Sequence, residues 1–341
     1  MTLRLAINGY GRIGRCFFRA LQESPLRNEI SIVAINEPAD LDSIAYLTRF
    51  DSTHGRFHLP VEARGGSLWV DGREIPVFHA HTPQGVPWCD LGVDILLECS
   101  GHYAYRHELQ QFLDAGCERL MLSHPGQSAE DVDYTVVYGI NQQGLRGDER
   151  IVSAASCTTN AVVPVLNVLH EAFAVENVLL TTLHSVMNDQ PLIDGYHHSD
   201  LRRTRSAMQS LVPVSTGLAR GVERLIPQLA GRVQAKAIRV PVLNVSAIDL
   251  ALTLERPTSV AELNACLAEA CRQFPGLLAY SDEPHASTDF NHNAHSAIID
   301  GGQTRVSGQH LASLMIWFDN EWGFANRMLD IAAYWQRRWQ D

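Results

Sequence analysis

The sequence predicts an α/β protein in two parts, a doubly wound parallel sheet followed by a second α+β domain on a largely antiparallel sheet. Three observations carry that expectation. Over the first ~150 residues, short apolar runs rich in β-branched side chains alternate with helix-period or loop segments. A glycine-rich turn joins the first such run to the first helical segment. From Val178 onward, strand-like runs follow one another with few crossover helices, as in an antiparallel sheet.

In chain order, Leu3 to Ile7 is a short apolar strand that runs directly into Asn8-Gly9-Tyr10-Gly11-Arg12-Ile13-Gly14-Arg15. Cys16, Phe17, Phe18, Ala20 and Leu21 then recur at helical spacing, and Gln22-Glu23-Ser24-Pro25 closes that helix. Ile30 to Asn36 is a second buried strand, and Val93 to Leu97, Arg119 to Ser123 and Tyr134 to Tyr138 are further ones. In the second half Val178 to His184 is strand-like. The polar stretch from Asn188 to Ser210 carries Arg202, Arg203 and Arg205 without periodicity. Apolar runs follow at Ala235 to Val240, Ser246 to Leu254 and Leu311 to Phe318, with helical spacing over Ser259 to Gln273. Trp322 to Trp339 reads as an amphipathic C-terminal helix. No internal repeat or low-complexity segment interrupts this order.

Bulk properties narrow the function classes. A chain of 341 residues can hold two cores, and 45% hydrophobic with 19% charged residues is ordinary for a globular protein. A net charge of −11 argues against a nucleic-acid or anionic-membrane surface, though not against a small basic pocket. Seven cysteines, an odd number without a C-x-x-C pair, suggest neither a disulfide framework nor a zinc site. His197-His198 and His292-x-x-His295 lack a third ligand at a recognisable spacing, so no metal is expected. Without a signal-peptide pattern or an apolar run of ~18 residues, the expectation is a cytoplasmic protein with reduced thiols.

Gly9-x-Gly11-x-x-Gly14 lies where a dinucleotide fingerprint must, after a strand and opening a helix. Gly9 permits the turn, Gly11 lets backbone approach a pyrophosphate, and Gly14 allows close helix–strand packing. The helix's free N–H groups then face the phosphates. The second strand ends in Asn36-Glu37, where an acid meets the adenosine ribose. A carboxylate there accepts from the 2′-OH and repels a 2′-phosphate, which favours NAD over NADP.

In Ser153-Ala154-Ala155-Ser156-Cys157-Thr158-Thr159-Asn160, apolar residues at helical spacing follow the cysteine, placing Cys157 at or just before a helix N-terminus. There the macrodipole and unpaired N–H groups favour the reactive thiolate. His184, at the end of an apolar strand, is the histidine best placed to serve as its base, and as imidazolium would support the thiolate.

N-G-Y-G-R-I-G-R, S-C-T-T-N, Ser215-Thr216-Gly217, Ile238-Arg239-Val240-Pro241 and Asp319-Asn320-Glu321-Trp322-Gly323 occur in register over essentially the whole chain. Together they resemble the glyceraldehyde-3-phosphate dehydrogenase family. Asn36-Glu37, Ser123-His124-Pro125-Gly126, His184-Ser185-x-Met187-x-Asp189-Gln190 and Asp200-Leu201-Arg202-Arg203-Thr204-Arg205 resemble its erythrose-4-phosphate dehydrogenase branch. Glycolytic members usually carry two threonines where this chain has Met187 and Asp189. An arginine often found shortly before the Leu-Pro-Trp motif is absent, His81 preceding Val86-Pro87-Trp88 here.

The resemblance implies NAD-dependent oxidation of D-erythrose 4-phosphate to 4-phosphoerythronate, on the route to pyridoxal phosphate. Cys157 is then the nucleophile and His184 the base. Ser156, Thr158, Arg203, Thr216, Gly217 and Arg239 form the substrate's anion-binding set. Gly9, Gly11, Arg12, Ile13, Gly14, Glu37, Ser123 and Asn320 contact the cofactor, Asn320 at the nicotinamide carboxamide. The implied division is an NAD-binding domain over 1–156, with a C-terminal helix over 321–341 packing back on it, and a catalytic domain over 157–320. A homotetramer is implied, with the 188–210 loop near a neighbouring subunit's cofactor. The alternatives are a phosphorylating dehydrogenase acting on glyceraldehyde 3-phosphate, and a non-catalytic NAD-binding regulator that keeps the fold.

Overall fold

A computed structural model describes residues 2–198 and 200–340. The chain divides into two compact units, Met1–Ser156 with Ala325–Asp341, and Cys157–Phe324. Among the described residues no helix is long and apolar enough to cross a membrane.

The first unit is built on one sheet. Its strands run, edge to edge, Tyr134–Thr135, Ile151–Ser153, Leu120–Leu122, Ile95–Glu98, Leu3–Asn8, Ile30–Asn36, Arg73–Phe78, Ser67–Val70 and Val61–Arg64. Pairing is parallel from the first of these through Arg73–Phe78, and antiparallel across the last three. The expected doubly wound sheet is therefore present, extended by an antiparallel meander that the sequence reading left out. The chain winds one way from Leu3–Asn8 to Ile30–Asn36 and later returns on the other side at Ile95–Glu98. That reversal makes the carboxyl ends of Leu3–Asn8 and Ile95–Glu98 the place where such sheets bind ligands. Leu3, Leu5, Ile7, Ile95 and Leu97 are all fully buried, as strands covered on both faces require. One side of the core is Trp88, Leu96, Leu109, Phe112 and Leu120, with the Trp88 indole donating to the Pro83 carbonyl at 2.8 Å.

The second unit's sheet has the order Val212–Val214, Val233–Arg239, Val175–His184, Ser246–Leu254, Leu311–Phe318, Ala297–Ser307 and Leu278–Ser281. It is antiparallel except for two parallel pairs, Val175–His184 with Val233–Arg239 and Leu278–Ser281 with Ala297–Ser307. The helices Cys157–Phe173 and Val260–Gln273 pack on it. Ser259 caps the second of these by accepting from Glu262 N–H, while the Glu262 carboxylate accepts from Ser259 N–H. The parallel pair matters most for chemistry, because its register sets His184 directly beside Arg239.

Candidate active site

In the first unit the glycine turn has the shape a dinucleotide needs. Gly9 has φ +87°, and a Cβ there would stand 2.4 Å from the Ser100 backbone nitrogen, so the turn and its close approach exclude any other residue. A Cβ on Gly14 would stand 2.4 Å from the Gly9 carbonyl oxygen, which is the tight helix–strand contact. Beside Gly11 there is open space. The helix Arg12–Glu23 has no side-chain cap and no acid in its first turn, so its N-terminal donors suit an anion.

Two carboxylates support this turn. Glu37 Oε2 accepts from Tyr10 N–H at 2.8 Å, which holds the acid at the end of its strand against the glycine loop. Asp51 grips Arg12 through two oxygens, at 2.5 and 3.2 Å, and accepts from the Thr53 and His54 N–H groups. These donors hold its carboxyl well below the usual carboxylate range. The Arg12 guanidinium is thus tied to protein, and its backbone N–H lies at the helix start. Ser123 follows Leu120–Leu122, its N–H bonded to the Glu98 carbonyl at 3.0 Å.

Glu98 belongs to none of the motifs in the sequence. It is fully buried and accepts from Asn8 Nδ2 at 2.5 Å and from Ser100 N–H at 2.7 Å. Asn36 Nδ2 in turn donates to Asn8 Oδ1 at 2.8 Å, so a carboxylate–amide chain straps three strand ends under the turn. Burial pushes the Glu98 carboxyl up to about 7. The available signal was an acid closing the apolar run Ile95-Leu96-Leu97, which needs partners if it points inward.

The second unit holds the reactive groups. Cys157 is the first residue of the helix Cys157–Phe173, as expected, and is half-buried. Ala155, two residues earlier, has φ +60°, an uncommon conformation for a residue with a side chain. His184 ends the strand Val175–His184 and is buried. Cys157 Sγ lies 3.6 Å from His184 Nε2, and Thr158 Oγ1 lies 3.9 Å from the same sulfur. On the ring's far side, Nδ1 lies 2.9 Å from both the Ser185 carbonyl and Arg239 Nη1.

Electrostatics at this pair differ from the sequence expectation. Burial pushes the Cys157 thiol up, and the Thr158 hydrogen bond and Arg239 charge only oppose it. His184 is pushed down to about 4, first by burial and then by the adjacent Arg239 cation. Both shifts run against the expected thiolate–imidazolium pair, because desolvation penalises both charges at once.

Arg203 donates from Nη1 to Asp189 Oδ2 at 2.9 Å, and its Nε lies 3.7 Å from Asp200 Oδ2. It enters the site already paired, by the residue standing where glycolytic sequences carry a threonine. Thr216 and Gly217 form the exposed turn into the helix Leu218–Leu225, where Thr216 Oγ1 accepts from Leu218 N–H at 3.1 Å. That helix packs on the cysteine's helix, where a Cβ on Gly221 would stand 3.4 Å from Thr159 Oγ1. Asn320 Oδ1 accepts from Ser185 Oγ at 3.0 Å and Ser246 Oγ at 2.8 Å, which fixes its Nδ2 as the donor end. Ser185 stands in a motif of the sequence and Ser246 opens an apolar run, but neither hydroxyl's role is legible there, since a lone serine carries no distinctive spacing.

The chain matches two family models. Residues 3–106 match the glyceraldehyde 3-phosphate dehydrogenase NAD binding domain, and residues 156–320 match the glyceraldehyde 3-phosphate dehydrogenase C-terminal domain. Together they cover most of the chain. The first match makes NAD the cofactor, in agreement with the fit of the glycine turn and Glu37.

Proposed function

Since the chain belongs to the glyceraldehyde 3-phosphate dehydrogenase family and is an NAD-dependent oxidoreductase, we propose that it oxidises D-erythrose 4-phosphate to 4-phosphoerythronate. The observation that carries this reading is Asp189 paired to Arg203 beside the Cys157–His184 couple. The route to pyridoxal phosphate, the cytoplasmic location and the homotetramer belong to the same proposal. So does the division of labour between an NAD-binding 1–156 and a catalytic 157–320.

Cys157 Sγ adds to the aldehyde carbon to give a thiohemiacetal, whose carbon can release hydride where a bare aldehyde cannot readily do so. NAD, when bound, accepts that hydride. His184 Nε2 takes the hydroxyl proton as the carbonyl re-forms, leaving a thioester on Cys157. Ser156, Thr158, Thr216, Gly217, Arg203 and Arg239 supply the donors for the substrate's phosphate and hydroxyl groups, the guanidinium forks being suited to phosphate. Gly9, Gly11, Arg12, Ile13 and Gly14 hold the pyrophosphate, Glu37 the adenosine ribose, and Ser123 and Asn320 further cofactor groups, Asn320 through Nδ2 to the carboxamide.

Water or inorganic phosphate can cleave the thioester, and Asp189 favours water. Its carboxylate neutralises one of the two cations that an incoming phosphate would use, and adds its own like charge. The expected result is NADH formation from erythrose 4-phosphate with no added phosphate and free acid as product. Asp189→Thr should release Arg203, and one charge-assisted hydrogen bond of ~1.5–3 kcal/mol would make the variant's rate rise about tenfold or more with phosphate. A strict phosphate requirement in the natural enzyme, with an acyl phosphate as product, refutes the hydrolytic reading. Faster turnover on glyceraldehyde 3-phosphate would instead favour the phosphorylating alternative.

Glu37 makes a separate prediction. Glu37→Ser removes the carboxylate that would repel a 2′-phosphate, and also the acceptor for Tyr10 N–H. NADP use should improve relative to NAD, with NAD affinity itself reduced. If the natural enzyme already uses both cofactors equally, Glu37 does not select.

A further inference from the structure

Three strand ends meet at Asn320. Ser185 follows Val175–His184, Ser246 opens the antiparallel neighbour Ser246–Leu254, and Asn320 lies just beyond Leu311–Phe318, where Phe318 pairs with Ser246. Both serines are fully buried. The Ser185 N–H donates to Ser246 Oγ at 3.1 Å, so that oxygen is already an acceptor and its hydrogen is left to donate. It donates to Asn320 Oδ1 at 2.8 Å, and the Ser185 hydroxyl reaches the same oxygen at 3.0 Å.

The reverse orientation of the amide fails on hydrogen bonding. With Nδ2 turned inward it would donate to both serine oxygens, leaving two buried hydroxyl hydrogens with no acceptor among the described residues. With Oδ1 inward, both hydroxyl hydrogens and both lone pairs of the amide oxygen are used. The backbone beneath is held separately. Asp319 Oδ1 accepts from the Glu321 and Trp322 N–H groups at 3.0 and 2.8 Å, and Oδ2 from His292 N–H at 2.7 Å. On that fixed turn the two serines decide what the amide presents outward, which is an N–H donor and no lone pair.

We propose that Ser185 and Ser246 are positioning residues for the nicotinamide end of the cofactor, locking the Asn320 amide as a donor so that the site selects a hydrogen-bond acceptor there. The inference deepens the proposed function and rests on its reading that Asn320 meets the carboxamide. A carboxamide has an oxygen that accepts and a nitrogen that donates, so an amide free to flip could hold either end. The locked amide holds the oxygen, and with it one rotamer of the carboxamide. Both serines, being fully buried, act through Asn320.

The test measures binding of NAD, its thionicotinamide analogue and ADP-ribose to the full-length protein by calorimetry. The analogue carries sulfur, a weaker acceptor, in place of the carboxamide oxygen, and ADP-ribose has no nicotinamide. Ser185→Ala should weaken NAD binding about fivefold, the factor that one ordinary hydrogen bond carries. The preference for NAD over the thio analogue should shrink by a similar factor. ADP-ribose should bind as it does to wild type, which also shows that the variant is folded. Ser246→Ala should do at least as much, because it also strands the Ser185 N–H, and Ser185→Ala decides alone should that variant not fold. Asn320→Ala should weaken NAD as well, and adding Ser185→Ala to it should change nothing further. Serine variants that bind NAD and the analogue like wild type while Asn320→Ala does not would overturn the proposal. So would an equal loss of ADP-ribose binding, or a full further loss on the Asn320→Ala background. Unchanged NAD binding in Asn320→Ala would instead refute the contact of Asn320 with the carboxamide, and this inference with it. No aldehyde turns over in these measurements, so each result is distinct from a failure to oxidise erythrose 4-phosphate.

Discussion

Cys157→Ser should leave aldehyde oxidation reduced by at least ~10⁴-fold, the scale on which enzymes lose rate with their nucleophile. The oxygen of serine is a far weaker nucleophile here, because a hydroxyl ionises far less readily than a thiol and burial of His184 disfavours the cation that would support an alkoxide. NAD affinity should change little, since the glycine turn, Glu37 and the Asn320 amide are untouched by the change. Stability should also survive, as serine suits a helix start and the thiol it replaces is only half-buried. The measurements are NADH formation on erythrose 4-phosphate, NAD binding by fluorescence, and a thermal midpoint. Near-normal turnover in a folded, NAD-binding variant would remove Cys157 from the chemistry.

What was legible in the sequence depended on how local the signal is. The glycine turn reads directly because its three glycines lie within one loop, where the contacts at Gly9 and Gly14 are too close for a Cβ and Gly11 faces open space. The strand Ser246–Leu254 reads to the residue because apolar side chains dominate it and Asp249 is its one charged residue. The strand Ala297–Ser307 was missed although it is longer. Gly301 and Gly302 interrupt it, and its register shifts between Asp300 and Arg305. Gly301 is there because the Tyr280 hydroxyl of another strand would collide with any Cβ, a reason that lies outside the strand's own sequence. The edge meander from Val61 to Phe78 was missed for a similar reason, its strands being short and Pro76 standing in one of them.

At the site, residue identities were easier to read than their states. Cys157 and His184 stand out by position, one opening a helix and the other ending a strand. Their charge states depend on burial and on Arg239, which lies 55 residues away in the chain and reaches the ring through a parallel strand register. The Asp189–Arg203 pair is equally invisible to local pattern. The resemblance puts Arg203 in the anion-binding set and Asp189 at a threonine position, but only the fold couples them and so neutralises one cation.

His184→Asn should slow hydride transfer by ~10²–10⁴-fold, the usual cost of losing a general base. Asparagine keeps a polar side chain near the Ser185 carbonyl and Arg239 but cannot accept a proton, so the loss should fall on the chemical step rather than on binding. The pH dependence separates this from a structural effect. With the ring pushed down to about 4 by burial and Arg239, it should be neutral between pH 5 and 8, and alkylation of Cys157 should climb steadily with pH as the raised thiol ionises. An ion pair would instead give a reactive plateau in that range. With substrate present, the natural enzyme should lose rate on the acid side as the base becomes protonated. The variant should lack that limb and gain rate with rising pH, since only solvent can then take the proton. Stopped-flow NADH formation, with C1-deuterated erythrose 4-phosphate to mark hydride transfer, measures the step itself. A transient rate within about threefold of the natural enzyme, with the acid limb retained, would mean that another group is the base.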